Sequence, residues 1–416
     1  MASANQELVF DWNVQGGPEL PPGRRYMLDD ESLRDGLQSP SVRDPSIEDK
    51  IEILHLMEEL GIDSVDLGLP GAGPRAVAAV ERLAREIVSA KLKIRPNCAA
   101  RTHENDIRPI AEISDRVGLP IEAATFLGSS PIRRYAEDWS VDFLLRTTEK
   151  AVKYARGLGL SVMYVTEDTT RCDPDTVKKL YTTAINCGAE AIVLCDTVGH
   201  ATPKGTRNLV RFVIEQVVKP SGQKIRVDWH GHRDRDLGLA NSLAAFEAGV
   251  DQVHGCALAL GERVGNTPMD LLLVNLKLAG VIDRDLSKLR DYCEKIAQAA
   301  GVPIPHNYPV VGSDAFRTAT GVHAAAVIKA YKKNDVRLAN TVYSGVPSHL
   351  FGLDQVIEIG PMSGKSNVIY WLEKRGIAST DDLVERIFST AKQSDRVLAD
   401  EEVLALCKDA PAAGSG

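Results

Sequence analysis

Two histidines one residue apart, His230 and His232, stand in the segment WHGHRD directly after an apolar, β-branched run. Side chains along a strand alternate faces, so a His-x-His pair puts both imidazoles on one side of the chain. Two imidazoles and one carboxylate leave coordination positions open, which suits a divalent ion that must also meet a substrate. Asp35, in LRDGLQ, would complete that set, and Asn266, in GERVGN, would add a neutral oxygen directly or through water. Zn²⁺, Mg²⁺ and Mn²⁺ all accept such ligands. The spacing alone fits a polar loop equally well.

Other polar groups recur at comparable places: Arg34 beside Asp35, Glu167 and Asp168 in VTEDTT, Asp196 and Thr197 in CDTVG, and Glu262 and Arg263 in GERVGN. Each follows a short apolar or β-branched run. Strand candidates fall near 27–33, 64–69, 93–99, 120–126, 160–166, 191–196, 225–229 and 251–256, with helical spacing between them. Ser46 opens one helix as an N-cap with Asp49 three residues on, and Gly61 ends it. Eight βα units fit an α/β fold, a closed (β/α)8 TIM barrel whose active groups sit at the C-terminal ends of its strands. An open doubly wound sheet lacks its signature, because no GxGxxG follows the first strand. After about residue 280 the alternation stops, and 285–300, 315–332, 350–356, 364–375 and 380–408 read as mainly helical. The expected organisation is an N-terminal arm over 1–24, the barrel over 25–282, a linker helix and linker over 283–310, a smaller helical subdomain over 311–410, and a tail over 411–416.

The bulk composition narrows the class. The 416 residues are 44% hydrophobic and 25% charged, enough for one large domain and a smaller one. A net charge of -8 argues against a phosphate-backbone binder, so no nucleic acid is expected. No apolar run reaches 18 residues, so no membrane span is expected, and the N-terminus lacks a secretory pattern. Seven cysteines without a CxxC suit reduced thiols and a cytoplasmic location.

LRDGLQ, DTVGHATP, HGHRDRDLGLANSLAAFEAG and GERVGN, in this order, resemble the metal-dependent barrel family of 2-isopropylmalate, citramalate and homocitrate synthases, which also includes the hydroxymethylglutaryl-CoA lyase. The similarity continues in TGVHAAAVIKA, YSGVP and IEIGPMSGKSNV. The resemblance implies an acyltransferase that condenses acetyl-CoA with a 2-oxo acid. It makes Asp35, His230 and His232 metal ligands and Asn266 the fourth. Arg34 would face the oxo group of the acceptor, and Thr197 would bond its carboxylate. Glu167 would help set the proton network, and Glu262 would lie near the thioester. His323 and Tyr343, in the small domain, would deprotonate acetyl-CoA on the barrel of a neighbouring subunit, which implies a homodimer. Read without the resemblance, His323 in VHAAAVIKA would be a core histidine, Arg34 a salt bridge and Thr197 a cap. Asp168 and Asp196 read as structural contacts, as do His200, His254 and Cys195.

The chain departs from that family at four places. Asp30-Glu31-Ser32 replaces aspartate-threonine-threonine, Asp66 replaces a glutamate, Ala124 stands for a histidine and Val165 for a serine. Losing those two donors predicts a larger, more apolar acceptor pocket, fitted to 2-oxoisovalerate or an aryl 2-oxo acid. The leucine-regulatory domain of the longer synthases is expected to be absent. The rival readings are a hydroxyacyl-CoA lyase and a barrel that has kept a binding role without catalysis.

Overall fold

Eight parallel strands close on themselves in sequence order in the computed structural model, which describes residues 8–408. They are β1 (Met27–Asp30), β2 (Ser64–Asp66), β3 (Arg95–Arg101), β4 (Glu122–Gly128), β5 (Val162–Glu167), β6 (Ala191–Asp196), β7 (Arg226–Gly231) and β8 (Gln252–Gly255). Closure is made by β1 and β8, where Asp29 faces His254 and Asp30 faces Gly255. This is the expected TIM barrel. Strand seven runs two residues beyond the sequence expectation, so His230 lies within it.

Local chemistry sets where the helices begin. Ser46 accepts the Asp49 N–H at the start of Ile47–Glu59, and the Asp49 carboxylate accepts the Ser46 hydroxyl in return. Ser130-Pro131, Asp173-Pro174 and Thr202-Pro203 each put a capping oxygen at the N-cap and a proline at the first helical position. Helix faces bury Ile53, Leu54, Met57, Leu83, Leu180 and Phe246 against outward strand residues such as Leu28, Val65 and Trp229. Burying each such side chain contributes about 1.5–3 kcal/mol. No helix among the described residues is long and apolar enough to cross a membrane. All seven cysteines are free thiols.

Within residues 8–24 the only regular element is a 3-10 turn, Trp12–Val14. Residues 1–7 of the expected arm and the whole expected tail, 411–416, lie outside the described residues.

The chain divides into two units, Met1–Arg284 with Asp291–Pro303, and Asp285–Arg290 with Ile304–Gly416. The segment expected as a linker is therefore split, and most of the helix Leu289–Ala300 belongs with the barrel. Its anchor is Tyr292, whose hydroxyl donates to a carboxylate oxygen of the buried Asp30, while the other oxygen accepts the Ser32 N–H at 2.8 Å.

Burial, with the neighbouring Asp29 carboxylate and only neutral hydrogen-bond donors to oppose it, pushes Asp30 up to about 7. The native state then holds a proton that the unfolded chain releases above pH ~4. Stability is therefore fully present below pH ~4 and falls as pH rises to about 7, by at most about 4 kcal/mol. Asp30→Asn keeps the neutral hydrogen bonds and should flatten that slope, read from urea unfolding at a series of pH values.

The second unit packs Ala324, Val327, Ile328 and Ala339 in one cluster and Val368, Trp371, Leu372 and Ile387 in another. Arg317–Thr318 and Val356–Ile357 pair as a short parallel ladder between its helices. The sequence reading had Arg317, Thr318 and Val356 within helical stretches and left Ile357 just beyond one. Two-residue strands carry too little alternation to be seen.

Candidate active site

The barrel interior is divided by charge. From β7, Arg226, Asp228 and His230 point inward at every second residue, and His232, one residue past its end, keeps the same phase. They meet Glu31, just past β1, and His254 of β8, which itself lies beside Asp29 of β1. From β4, β5 and β6 the inward residues beside the cavity are Ala124, Phe126, Met163, Val165, Val193 and Cys195, with Glu167 at the mouth end of β5 and Glu122 at the far end of β4. A cavity of ≈ 260 Å³ opens at the C-terminal ends of the strands, with the charged residues as one wall and this apolar group as the other.

His230 Nε2 and His232 Nε2 face each other at 3.2 Å, and Asp35 Oδ2 lies 3.9 and 3.8 Å from them. Two nitrogens bound tetrahedrally to one zinc ion would be about 3.3 Å apart. Burial and the neighbouring His230 push His232 down to about 4, leaving the neutral imidazole that a metal requires. Burial would raise the Asp35 carboxyl, but the Arg34 guanidinium and the His230 imidazole outweigh it and hold it below its ordinary range. Asn266 donates to Asp35 Oδ2 at 2.5 Å, and its own Oδ1 is buried without a hydrogen-bond partner among the described residues. Convergent nitrogens and an ionised carboxylate, with the Asn266 amide beside them, fit a divalent cation.

Asn266 is set by the loop after β8. Gly265 has φ +106, and a Cβ there would meet the Ala259 carbonyl oxygen at 1.8 Å, so only glycine closes the turn. Arg263, in the same loop, donates to Thr197 O at 2.6 Å and pairs with Asp234 at 2.9 Å.

Arg34 is clamped by three carboxylates. Its Nε donates to Asp66 at 2.7 Å, Nη1 to Asp35 at 2.7 Å and Nη2 to Glu31 at 3.3 Å. Burial pushes Asp66 up to about 6 even against the Arg34 charge. Thr197 Oγ1 accepts the Asp168 N–H at 2.8 Å, which leaves its own proton free to donate. Glu167 lines the cavity and is raised by burial. Glu262 stands exposed at the rim, 3.3 Å from Arg263.

Ala124 and Val165 lie on the apolar wall. Asp196 accepts the His200 and Ala201 N–H groups, and Asp168 pairs with Arg171, both structural contacts as expected.

His323 and Tyr343 belong to the second unit. Their rings stack at 4.2 Å, and both side chains are exposed, so His323 is not a core histidine. Two residues at the site escaped the sequence reading. Glu31 Oε2 lies 2.8 Å from His230 Nδ1 as an ion-pair contact off the hydrogen-bonding direction, Glu31 Oε1 hydrogen-bonds His254 Nδ1 at 3.0 Å, and His254 also meets Asp228 at 3.4 Å. The available signal was the polar alternation at 226, 228, 230 and 232, which marks a charged inward column on β7.

The geometry can be set beside known proteins. A homocitrate synthase of Methanopyrus kandleri is 31% identical over 366 residues, which span 87% of this chain and 86% of that protein. A 2-isopropylmalate synthase of Sediminispirochaeta smaragdinae is 31% identical over 373 residues, 88% and 71% of the two chains. Among solved structures, the HMG-CoA lyase of Bacillus subtilis superposes with a TM-score of 0.57 at 20% identity, over 69% of this chain and 97% of that one. The hydroxymethylglutaryl-CoA lyase of Pseudomonas aeruginosa gives 0.55 at 20%, over 67% and 94%. At that identity the lyases speak for the fold alone. The HMGL-like profile matches residues 25–296, and with the synthases aligned over most of its length this chain belongs to the HMGL-like family, in the DRE-TIM superfamily of enzymes.

Proposed function

We propose that the protein condenses acetyl-CoA with a 2-oxo acid of bulky, uncharged side chain, giving a 2-substituted malate and free CoA. The observation that carries this reading is the convergence of Asp35, His230 and His232 beside a fixed guanidinium, opposite an apolar half-barrel. Asp35, His230 and His232 would hold a divalent ion, Zn²⁺, Mg²⁺ or Mn²⁺, and Asn266 would join them once its amide turns its oxygen inward. When bound, the ion supplies Lewis acidity to the acceptor's carboxylate and 2-oxo oxygens.

Every other step falls to the chain. Three of the five N–H groups of Arg34 are taken by carboxylates, which fixes the plane of the guanidinium and leaves one on each Nη for the developing alkoxide. Thr197 donates its free proton to the acceptor carboxylate. His323, oriented by Tyr343 and reaching in from the second subunit of a homodimer, takes a proton from the acetyl methyl. The resulting carbanion forms the C–C bond, and the carbonyl electron pair moves to the oxygen facing Arg34. Glu167 exchanges the proton that neutralises that oxygen, and Glu262 lies at the thioester end. Water then cleaves the thioester.

Two observations weigh against the lyase reading. The synthase alignments, at 87% and 88% of the chain, extend beyond the barrel into the second unit. Cys256, the cysteine beside the β8 loop, is fully buried, and burial pushes its thiol well above its ordinary value.

Acetyl-CoA offered with a pool of 2-oxo acids, a divalent ion and a thiol reagent tests the proposal. Acceptor-dependent CoA release and a substituted malate in the mass spectrum are expected. Aryl pyruvates or 2-oxoisovalerate should exceed 2-oxoglutarate in kcat/KM by about 100-fold or more, since the apolar wall offers a second carboxylate no cation. A highest kcat/KM for pyruvate or oxaloacetate contradicts the acceptor class, and CoA release without an acceptor contradicts the condensation.

A further inference from the structure

The charged half of the barrel contains a connected line of side chains that the condensation does not itself use. Asp228, fully buried, lies 3.4 Å from His254 Nε2, and His254 Nδ1 lies 3.0 Å from Glu31 Oε1. Glu31 Oε2 lies 2.8 Å from His230 Nδ1, and His230 Nε2 is the atom that faces His232 Nε2 at 3.2 Å. The line rests at its lower end on Arg226, which pairs with Asp228 at 3.0 Å and with Glu122 at 2.8 Å. All of these side chains come from alternate positions on β7, β8, the end of β1 and β4.

We infer that Glu31, held in place by His254 and Asp228, is a positioning residue that fixes the tautomer and ring plane of His230 and so sets the divalent-ion affinity of the site. The inference rests on the proposed metal reading. A carboxylate at Nδ1 obliges the imidazole to carry its proton there, which leaves the Nε2 lone pair for an ion. It also stops the ring from turning. The two histidines differ in the carboxylate beside them: Glu31 Oε2, which accepts no hydrogen bond in this geometry, sits 2.8 Å from His230 Nδ1, where a small turn of the ring brings the N–H onto it. His232 Nδ1 is buried and has no hydrogen-bond partner among the described residues. His230 is thus the ligand with a carboxylate already placed at its Nδ1.

Glu31 cannot hold that pose by itself. Its Oε1 is fixed by the His254 Nδ1 donor at 3.0 Å and by Arg34 Nη2 at 3.3 Å. His254 is in turn fixed by Asp228 at its other nitrogen, so that Nδ1 points at Glu31 and not away from it. The backbone supports the same register, since the Glu31 N–H donates to the Gly255 carbonyl at 2.9 Å. Because Glu31 also touches Arg34, activity alone would not separate the two effects, and the readout must be binding of the ion.

The test is the affinity of the metal-free protein for Zn²⁺, measured by competition with a chromogenic chelator, with a thermal melt of each metal-free variant as the control for folding. Glu31→Gln is expected to weaken Zn²⁺ binding by about 10–100-fold. Two substitutions at His254 give a second arm. Asn places its amide donor where Nδ1 stood and should keep affinity within about threefold, whereas Gln places it where Nε2 stood and should lose about 10-fold. A purely structural role for His254 would move both variants together. If the parent binds Zn²⁺ and Glu31→Gln binds as tightly, or if the Asn and Gln variants at His254 are indistinguishable, the inference is overturned while the metal reading stands. A parent that binds no divalent ion overturns the metal reading itself.

Discussion

Arg34→Gln is expected to lower kcat for the condensation by about 10²–10³-fold, with kcat/KM falling in proportion. The guanidinium is held before any substrate arrives, by Asp66 and Asp35 at 2.7 Å and Glu31 at 3.3 Å. Its two remaining N–H groups therefore need no reorganisation when negative charge develops on the former carbonyl oxygen, the circumstance in which a donor acts mostly on the transition state. Glutamine keeps one donor and the approximate length of the side chain but not the charge. Three buried carboxylates then lose their common cation, so the variant should also melt lower. Steady-state kinetics together with a thermal melt separate the two losses. An unchanged kcat would remove Arg34 from the chemistry and leave it a structural ion pair.

Asp35→Asn should reduce activity by about 10³-fold or more, since the ion's electrostatic work amounts to several kcal/mol and each 1.4 kcal/mol is tenfold. Asparagine can still accept from Arg34 through Oδ1, and its Nδ2 can donate to Asn266 Oδ1 once the Asn266 amide turns over, so the variant should fold. What it lacks is the charge needed beside two neutral imidazoles. Chelator treatment of the parent should reproduce the same loss, and added Zn²⁺, Mg²⁺ or Mn²⁺ should restore it in the parent but not in the variant. Full activity in the presence of a strong chelator would contradict this.

Much of this arrangement could be read before the fold was known, and the reasons are physical. The barrel was legible because each strand is a short apolar run between helices with clear caps, such as Ser46, Asp173 and Thr202. His230 and His232 were legible because a period of two puts them on one face whatever the rest of the chain does. Glu31 and His254 were not, since they lie 223 residues apart and meet only when β1 closes on β8. His254 looked like a structural residue, and it is one in that it holds another side chain. The exposed position of His323 also escaped a reading based on its apolar neighbours. Ala324, Val327 and Ile328 face the core of the second unit, while His323 and Val322 occupy the other side of the same helix.

The measurement that bears most directly on the whole account is an anomalous-difference map from crystals grown with Zn²⁺ or Mn²⁺. The account predicts one strong peak per barrel within about 2.0–2.2 Å of Asp35 Oδ2, His230 Nε2 and His232 Nε2. A map with no peak among those three atoms, in crystals that show the ion elsewhere, would contradict it.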